Sequence, residues 1–61
     1  MNNGVTHMSK DFRATRQGNI VEVYDYRCAW SIFYRVTDGK LVYHSGGVDT
    51  AASRQAARES I

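Results

Sequence analysis

The sequence contains no proline, a single cysteine, Cys28, and two histidines. One cysteine excludes an internal disulfide, and with two histidines the chain falls short of a four-ligand structural zinc site unless carboxylates or a second chain contribute. No metal or other cofactor is expected. Long apolar runs are missing as well: none approaches the roughly 20 residues that cross a bilayer, and the N-terminus lacks the apolar core of a secretory signal. These absences point to the cytoplasm, where a lone thiol stays reduced. A chain of 61 residues is one small domain that buries only about 60% of its unfolded surface. Without disulfide or metal, it is expected to lean on very good packing or on a partner.

Charge is also in short supply. The net charge is +2, with 23% charged residues against 43% hydrophobic, which is the composition of a globular chain rather than a disordered one. The surplus lies in residues 9–17, where Lys10, Arg13 and Arg16 face only Asp11, while the other ionic residues cancel. Residues 1–17 therefore read as a flexible basic arm, with 1–8 as an unstructured leader, and residues 18–61 as the folded domain.

Glycine does the punctuating instead of proline. Between Gly18 and Gly46 the chain is rich in β-branched and aromatic residues, which suit a pleated surface, and three strands are expected there. Asp38-Gly39 between two apolar alternations favours a two-residue type I′ hairpin, which opposes Val36 to Leu41, Arg35 to Val42, Tyr34 to Tyr43, Phe33 to His44 and Ile32 to Ser45. For the preceding connection, a two-residue loop at Tyr26-Arg27 pairs Val23 with Trp30 and Val21 with Ile32. A three-residue loop would bring Glu22 onto the core face at a cost of several kcal/mol. The expected core face is then Val21, Val23, Trp30, Ile32, Tyr34, Val36, Leu41 and Tyr43. After Gly46-Gly47 the stretch TAASRQAARES has high helix propensity, with Asp49 or Thr50 as N-cap. Ala52, Ala56 and Ala57 supply a small-residue face for close packing on the sheet, and Val48 and Ile61 close its ends. The expected fold is α+β: a three-stranded antiparallel sheet with one C-terminal helix on one face, β-β-β-α.

One short helix covers one face. The other is expected to carry Ile20, Glu22, Tyr24, Ala29, Ser31, Phe33, Arg35, Val42 and His44, an apolar cluster ringed by polar groups. That composition describes an interaction surface unless Phe12 and the arm fold back over it. Ile20, Tyr24, Phe33, Arg35, Val42 and His44 are the candidate partner-binding residues. No nucleophile elbow, phosphate-binding glycine loop, His-Glu-x-x-His or paired-cysteine spacing is found. Cys28 and His44 lack a third group to make a nucleophilic dyad, and Asp49 repels an anion from the start of the helix. The expectation is a protein that is not an enzyme.

Two resemblances follow. Trp30, Tyr34, the Gly39-Lys40 turn, Thr50 and the alanines after it resemble the arm-binding domain of phage tyrosine integrases, a sheet-plus-helix module similar to plant AP2 domains. That resemblance implies a sheet entering the DNA major groove, with Arg27, Arg35 and Lys40 as nucleic-acid contacts and Lys10, Arg13 and Arg16 as an assisting arm. Glu22 and Asp25 on the same sheet depart from it. In format the chain is similar to the small accessory proteins of bacteriophages, including anti-CRISPR inhibitors, which occupy a surface of a host complex. The leading expectation is accordingly a phage or mobile-element protein in the host cytoplasm that inhibits a host defence complex, such as a CRISPR effector, by protein–protein contact through its exposed sheet face. A double-stranded DNA-binding module is the alternative, and a homodimer using the free face for itself is a third candidate.

Overall fold

The computed structural model describes residues 5–61; the part of the expected leader at 1–4 lies outside the described residues. Five strands run in chain order as an antiparallel meander: β1 (Val5–Met8), β2 (Phe12–Gln17), β3 (Ile20–Asp25), β4 (Trp30–Thr37) and β5 (Lys40–Gly46). A single helix, α1 (Ala51–Glu59), follows. The α+β class, the antiparallel sheet and the C-terminal helix agree with the sequence, but the sheet has five strands where three were expected. The stretch that reads in the sequence as a flexible arm supplies the other two. Its alternation is weak in composition yet real in space: Phe12 and Ala14 are buried against the helix side while Arg13 faces out. Gly18 makes the β2–β3 turn with φ +62°, a left-handed value that glycine adopts without steric cost. Arg16 Nε donates to the Gly18 carbonyl at 2.8 Å, closing that turn. Phe12 therefore belongs to the core and does not fold over the outer face.

The β4–β5 hairpin is as expected at its tip. Asp38 and Gly39 both have positive φ, and Val36, Arg35 and Tyr34 oppose Leu41, Val42 and Tyr43. Further along, a bulge inserts one residue, so Phe33 opposes Ser45 and Ile32 opposes Gly46; these two pairs correct the expected ones. The β3–β4 connection is also longer than two residues. Asp25 opposes Trp30, Val23 opposes Ile32 and Val21 opposes Tyr34, which leaves Tyr26–Ala29 as the loop, with Ala29 at φ 55°. Asp25 organises it by accepting from the Arg27 backbone N–H at 2.9 Å and from the Arg27 guanidinium at 3.1 and 3.0 Å. Lengthening a loop from two residues to four keeps strand parity, so each side chain of β3 and β4 stays on its expected face. Ala29, in the loop, leaves the face altogether.

Below the helix the core is Phe12, Ala14, Val21, Val23, Ile32, Tyr34, Ala56 and Ala57, with Val36 and Leu41 half-buried beside it. The helix presents Ser53, Ala56, Ala57 and Ser60 inward, at spacings of three and four, and Ala52 outward. It packs chiefly over β2 and β3, with lesser contacts to β1 and β5. Thr50 is the N-cap, in a capping box with Ser53: the Ser53 N–H donates to Thr50 Oγ1 at 3.1 Å, and the Thr50 N–H donates to Ser53 Oγ at 3.0 Å. A nine-residue helix is marginal alone, and polar bonds beneath it add to its docking. Buried Tyr34 donates its hydroxyl to Asp49 Oδ1 at 2.8 Å and shares a 2.7 Å bond with Ser53 Oγ. Arg54 closes this clasp by donating to Asp49 Oδ2 at 2.5 Å and to the Leu41 carbonyl at 2.9 Å, with its guanidinium over the Tyr34 ring. Every buried side-chain nitrogen and oxygen among the described residues has a partner.

Candidate functional site

Because α1 packs chiefly over β2 and β3, the end of the same face where β4 begins and β5 finishes is left uncovered. Trp30 and Tyr43, expected in the core, are 58% and 41% exposed there, and Val48, expected to seal the helix contact, is 77% exposed. Ile61 is likewise exposed. Trp30, Ile32, Tyr43, the backbone of Gly46 and Gly47, and Val48 line an apolar cleft of about 590 Å³, with Asp25, Cys28, Asp49 and Thr50 at its polar margin. Its parts are held firmly. The Tyr43 ring meets the Tyr34 ring edge-on, with centroids 6.3 Å apart, and its hydroxyl donates to the Gly46 carbonyl at 3.2 Å. The indole of Trp30 lies so close to Gly47 that a Cβ there would stand 2.5 Å from Trp30 Cδ1.

Both carboxylates at the margin are already engaged by arginine. The Arg27 guanidinium holds the Asp25 carboxyl below the usual carboxylate range against the opposing effect of desolvation. Arg54, and then the Tyr34 hydroxyl, do the same for Asp49. Burial pushes the Tyr34 phenol up, with the neighbouring Asp49 adding to the shift and Ser53 opposing it. Cys28 is exposed at the cleft, whereas His44 lies toward the opposite face and pairs with Ser45 Oγ at 2.8 Å. The two are not brought together.

The opposite face of the sheet carries the six residues singled out from the sequence, in one neighbourhood. Ile20, Tyr24 and Phe33 are half-buried, while Arg35, Val42 and His44 are exposed. Ile20 opposes Arg35 and Glu22 opposes Phe33, and shallow depressions flank the Ile20–Phe33 pair on both sides. The strand β2 extends this face with Arg13, whose guanidinium stacks over Tyr24 at 5.4 Å. Ser31 Oγ donates to Glu22 Oε2 at 2.8 Å.

The candidate DNA contacts are split. Lys10, Arg13 and Arg27 belong to the end of the sheet with the β1–β2 and β3–β4 connections, and Arg16, Arg35 and Lys40 to the opposite end, with the β2–β3 and β4–β5 turns. Arg27 is bound to Asp25, and Arg16 is turned to the helix side, where it holds the Gly18 carbonyl. No continuous basic stripe results.

The exposed Trp30 cleft is the feature that strand-by-strand reading of the sequence missed. Its signal was present in the abrupt shift to small residues after Gly47, since a helix of alanine and serine is too slight to cover every aromatic side chain on a face. The chain matches no family model, and no curated protein or solved structure matches it either. Among the described residues, no helix is long and apolar enough to cross a membrane.

Proposed function

We propose that this protein is a non-catalytic binding module that acts by occupying the surface of another protein, in the manner of small phage or mobile-element inhibitors of host defence complexes. The observation that carries the reading is the exposed Trp30 at the Tyr43–Val48 cleft. Tryptophan and tyrosine are the residues most enriched among interface anchors, and a contiguous exposed apolar site on so small a surface is the usual mark of an interaction site. The cleft takes one or two apolar side chains of a partner, and the Asp25–Arg27 and Asp49–Arg54 pairs form a polar rim around it. Binding double-stranded DNA is the less favoured reading, because the cations are divided between the two ends of the sheet.

The test is affinity for host defence complexes, measured with the wild type, Trp30→Ala and Gly47→Ala. Gly47 has no left-handed φ, so the backbone accepts alanine and the new methyl displaces the indole. Both substitutions are expected to weaken binding at least about tenfold, and Gly47→Ala to shift the emission of the single tryptophan. A complex held equally well by all three proteins, or no binding by the wild type, overturns the assignment. Salt-sensitive DNA binding that loses about 0.9 in log K per log salt for each neutralised phosphate would replace it with the DNA reading.

A further inference from the structure

The outer sheet face has an internal arrangement that a random mixed surface lacks. Ile20 and Glu22 are same-face neighbours along β3, and Phe33 and Arg35 are same-face neighbours along β4; Ile20 opposes Arg35 and Glu22 opposes Phe33. The four side chains therefore stand at the corners of a rectangle. One diagonal, Ile20 to Phe33, is apolar, and the other, Glu22 to Arg35, carries opposite charges. The ion pairs among the described residues are Arg27–Asp25 and Arg54–Asp49, so Glu22 and Arg35 are each without an ionic partner in the monomer. Glu22 is held in place by Ser31.

We propose that this face binds a second copy of the chain about a two-fold axis lying along the Ile20–Phe33 diagonal. That operation brings Ile20 and Phe33 onto their own counterparts and places Glu22 of each copy over Arg35 of the other. The patch is thus self-complementary in charge as well as in apolarity, which is what an isologous interface requires. A face whose charges lay on the axis would instead set each against its own copy. From strand spacings of about 4.8 Å and rises of about 3.4 Å per residue, the strands of the two sheets cross at roughly 70°, near the orthogonal class of sheet packing. Size is adequate too. One broad face of a body measuring 29 × 18 × 15 Å makes up about a fifth of its surface, about 800 Å² of 3947 Å²; crossed at roughly 70°, two such faces overlap over about two thirds of that area and bury about 1,000 Å² in total, the lower end for a specific interface. The dimer leaves the Trp30 cleft outermost on each copy, so the proposal stands independently of what that cleft binds.

Sedimentation equilibrium over a wide concentration range tests it, using the full chain with Glu22→Arg, Arg35→Glu and the double exchange. The wild type is expected to move from monomer to dimer. Each single exchange sets like charges against each other twice and raises the dimer dissociation constant at least about tenfold, and the double exchange returns it to within about threefold of the wild type. Far-UV circular dichroism and urea midpoints confirm that the folded state is kept, as expected for partly exposed positions. A wild type that is monomeric throughout, single exchanges that dimerise normally, or a double exchange no better than the singles overturns the proposal. Loss of the dimer in Trp30→Ala overturns it as well, by moving the interface to the cleft.

Discussion

Removing one oxygen atom from beneath the helix, in Tyr34→Phe, tests whether the polar clasp is what keeps a marginal helix docked. The ring and its packing stay; the hydroxyl bonds to Asp49 Oδ1 and Ser53 Oγ go. A hydrogen bond to a charged group contributes about 1.5–3 kcal/mol and a neutral one about 0.5–1.5 kcal/mol. Asp49 keeps Arg54, and Ser53 Oγ keeps its bonds within the capping box, so neither partner is left unsatisfied and the lower part of the summed range applies, about 2 kcal/mol. A domain of this size rarely has more than about 3–5 kcal/mol in hand, so the variant should lose about half of its stability. In a thermal melt this corresponds to about 8–16 °C, at about 4–8 °C per kcal/mol for a 60–100-residue domain. Urea unfolding followed by far-UV circular dichroism and by Trp30 emission reads the change, with an unchanged m-value indicating that the same surface is exposed. Tyr43→Phe is the control, since its hydroxyl is exposed and bonds only the Gly46 carbonyl; it should cost less than about 0.5 kcal/mol. If Tyr34→Phe costs no more than Tyr43→Phe, the helix is held by Ala56 and Ala57 packing alone and the clasp is incidental.

The sequence was most legible where backbone chemistry is local. Asp38-Gly39 announced its hairpin because both positions need positive φ, and Thr50 announced the N-cap because its hydroxyl suits an orphan N–H. Period-two alternation put Val21, Val23, Ile32 and Tyr34 on the buried face, and it survived a wrong loop length because the error was an even number of residues. Long-range consequences were harder to read. In FRATRQ the inward positions are Phe12, Ala14 and Arg16, of which Ala14 is too small and Arg16 too polar to continue the alternation that Phe12 begins, and the segment becomes a strand by pairing with its neighbours. The Asp25 carboxylate, which builds the four-residue loop, reads in the sequence as one more turn residue. Nothing before Gly46 signals the bulge. Of the candidate sites, the six outer-face residues do share one face of the sheet. The cleft was not legible, because whether Trp30 is covered depends on where α1 lands, and that is set by the path of residues 47–50 rather than by any property of Trp30.

Two further outcomes bear on this account. Asp49 and Asp25 have carboxyls depressed below 3.8 in the folded chain; their contribution is full and constant above the unfolded value and is lost as pH falls through the lower folded values. Urea midpoints taken down to about pH 2 should fall along this acid limb, and Asp49→Asn should flatten it. The other outcome concerns the glycine that ends β5. Gly46 has φ +98°, and a Cβ there would lie 2.3 Å from the Ser31 carbonyl oxygen, a backbone atom that cannot swing aside. Gly39 has φ +74° with open space around it. Alanine at Gly39 meets only the left-handed penalty of about 1–2 kcal/mol, whereas at Gly46 it meets strain and collision together and should cost more than about 3 kcal/mol. The contrast matters because the close approach at Gly46 lets the next N–H, that of Gly47, reach the Ser31 carbonyl at 2.9 Å. That bond directs residues 47–50 across the sheet end to the helix. Were the two alanine variants equally stable, the close approach at Gly46 would not be what steers the linker, and the opening beside Trp30 would need another cause.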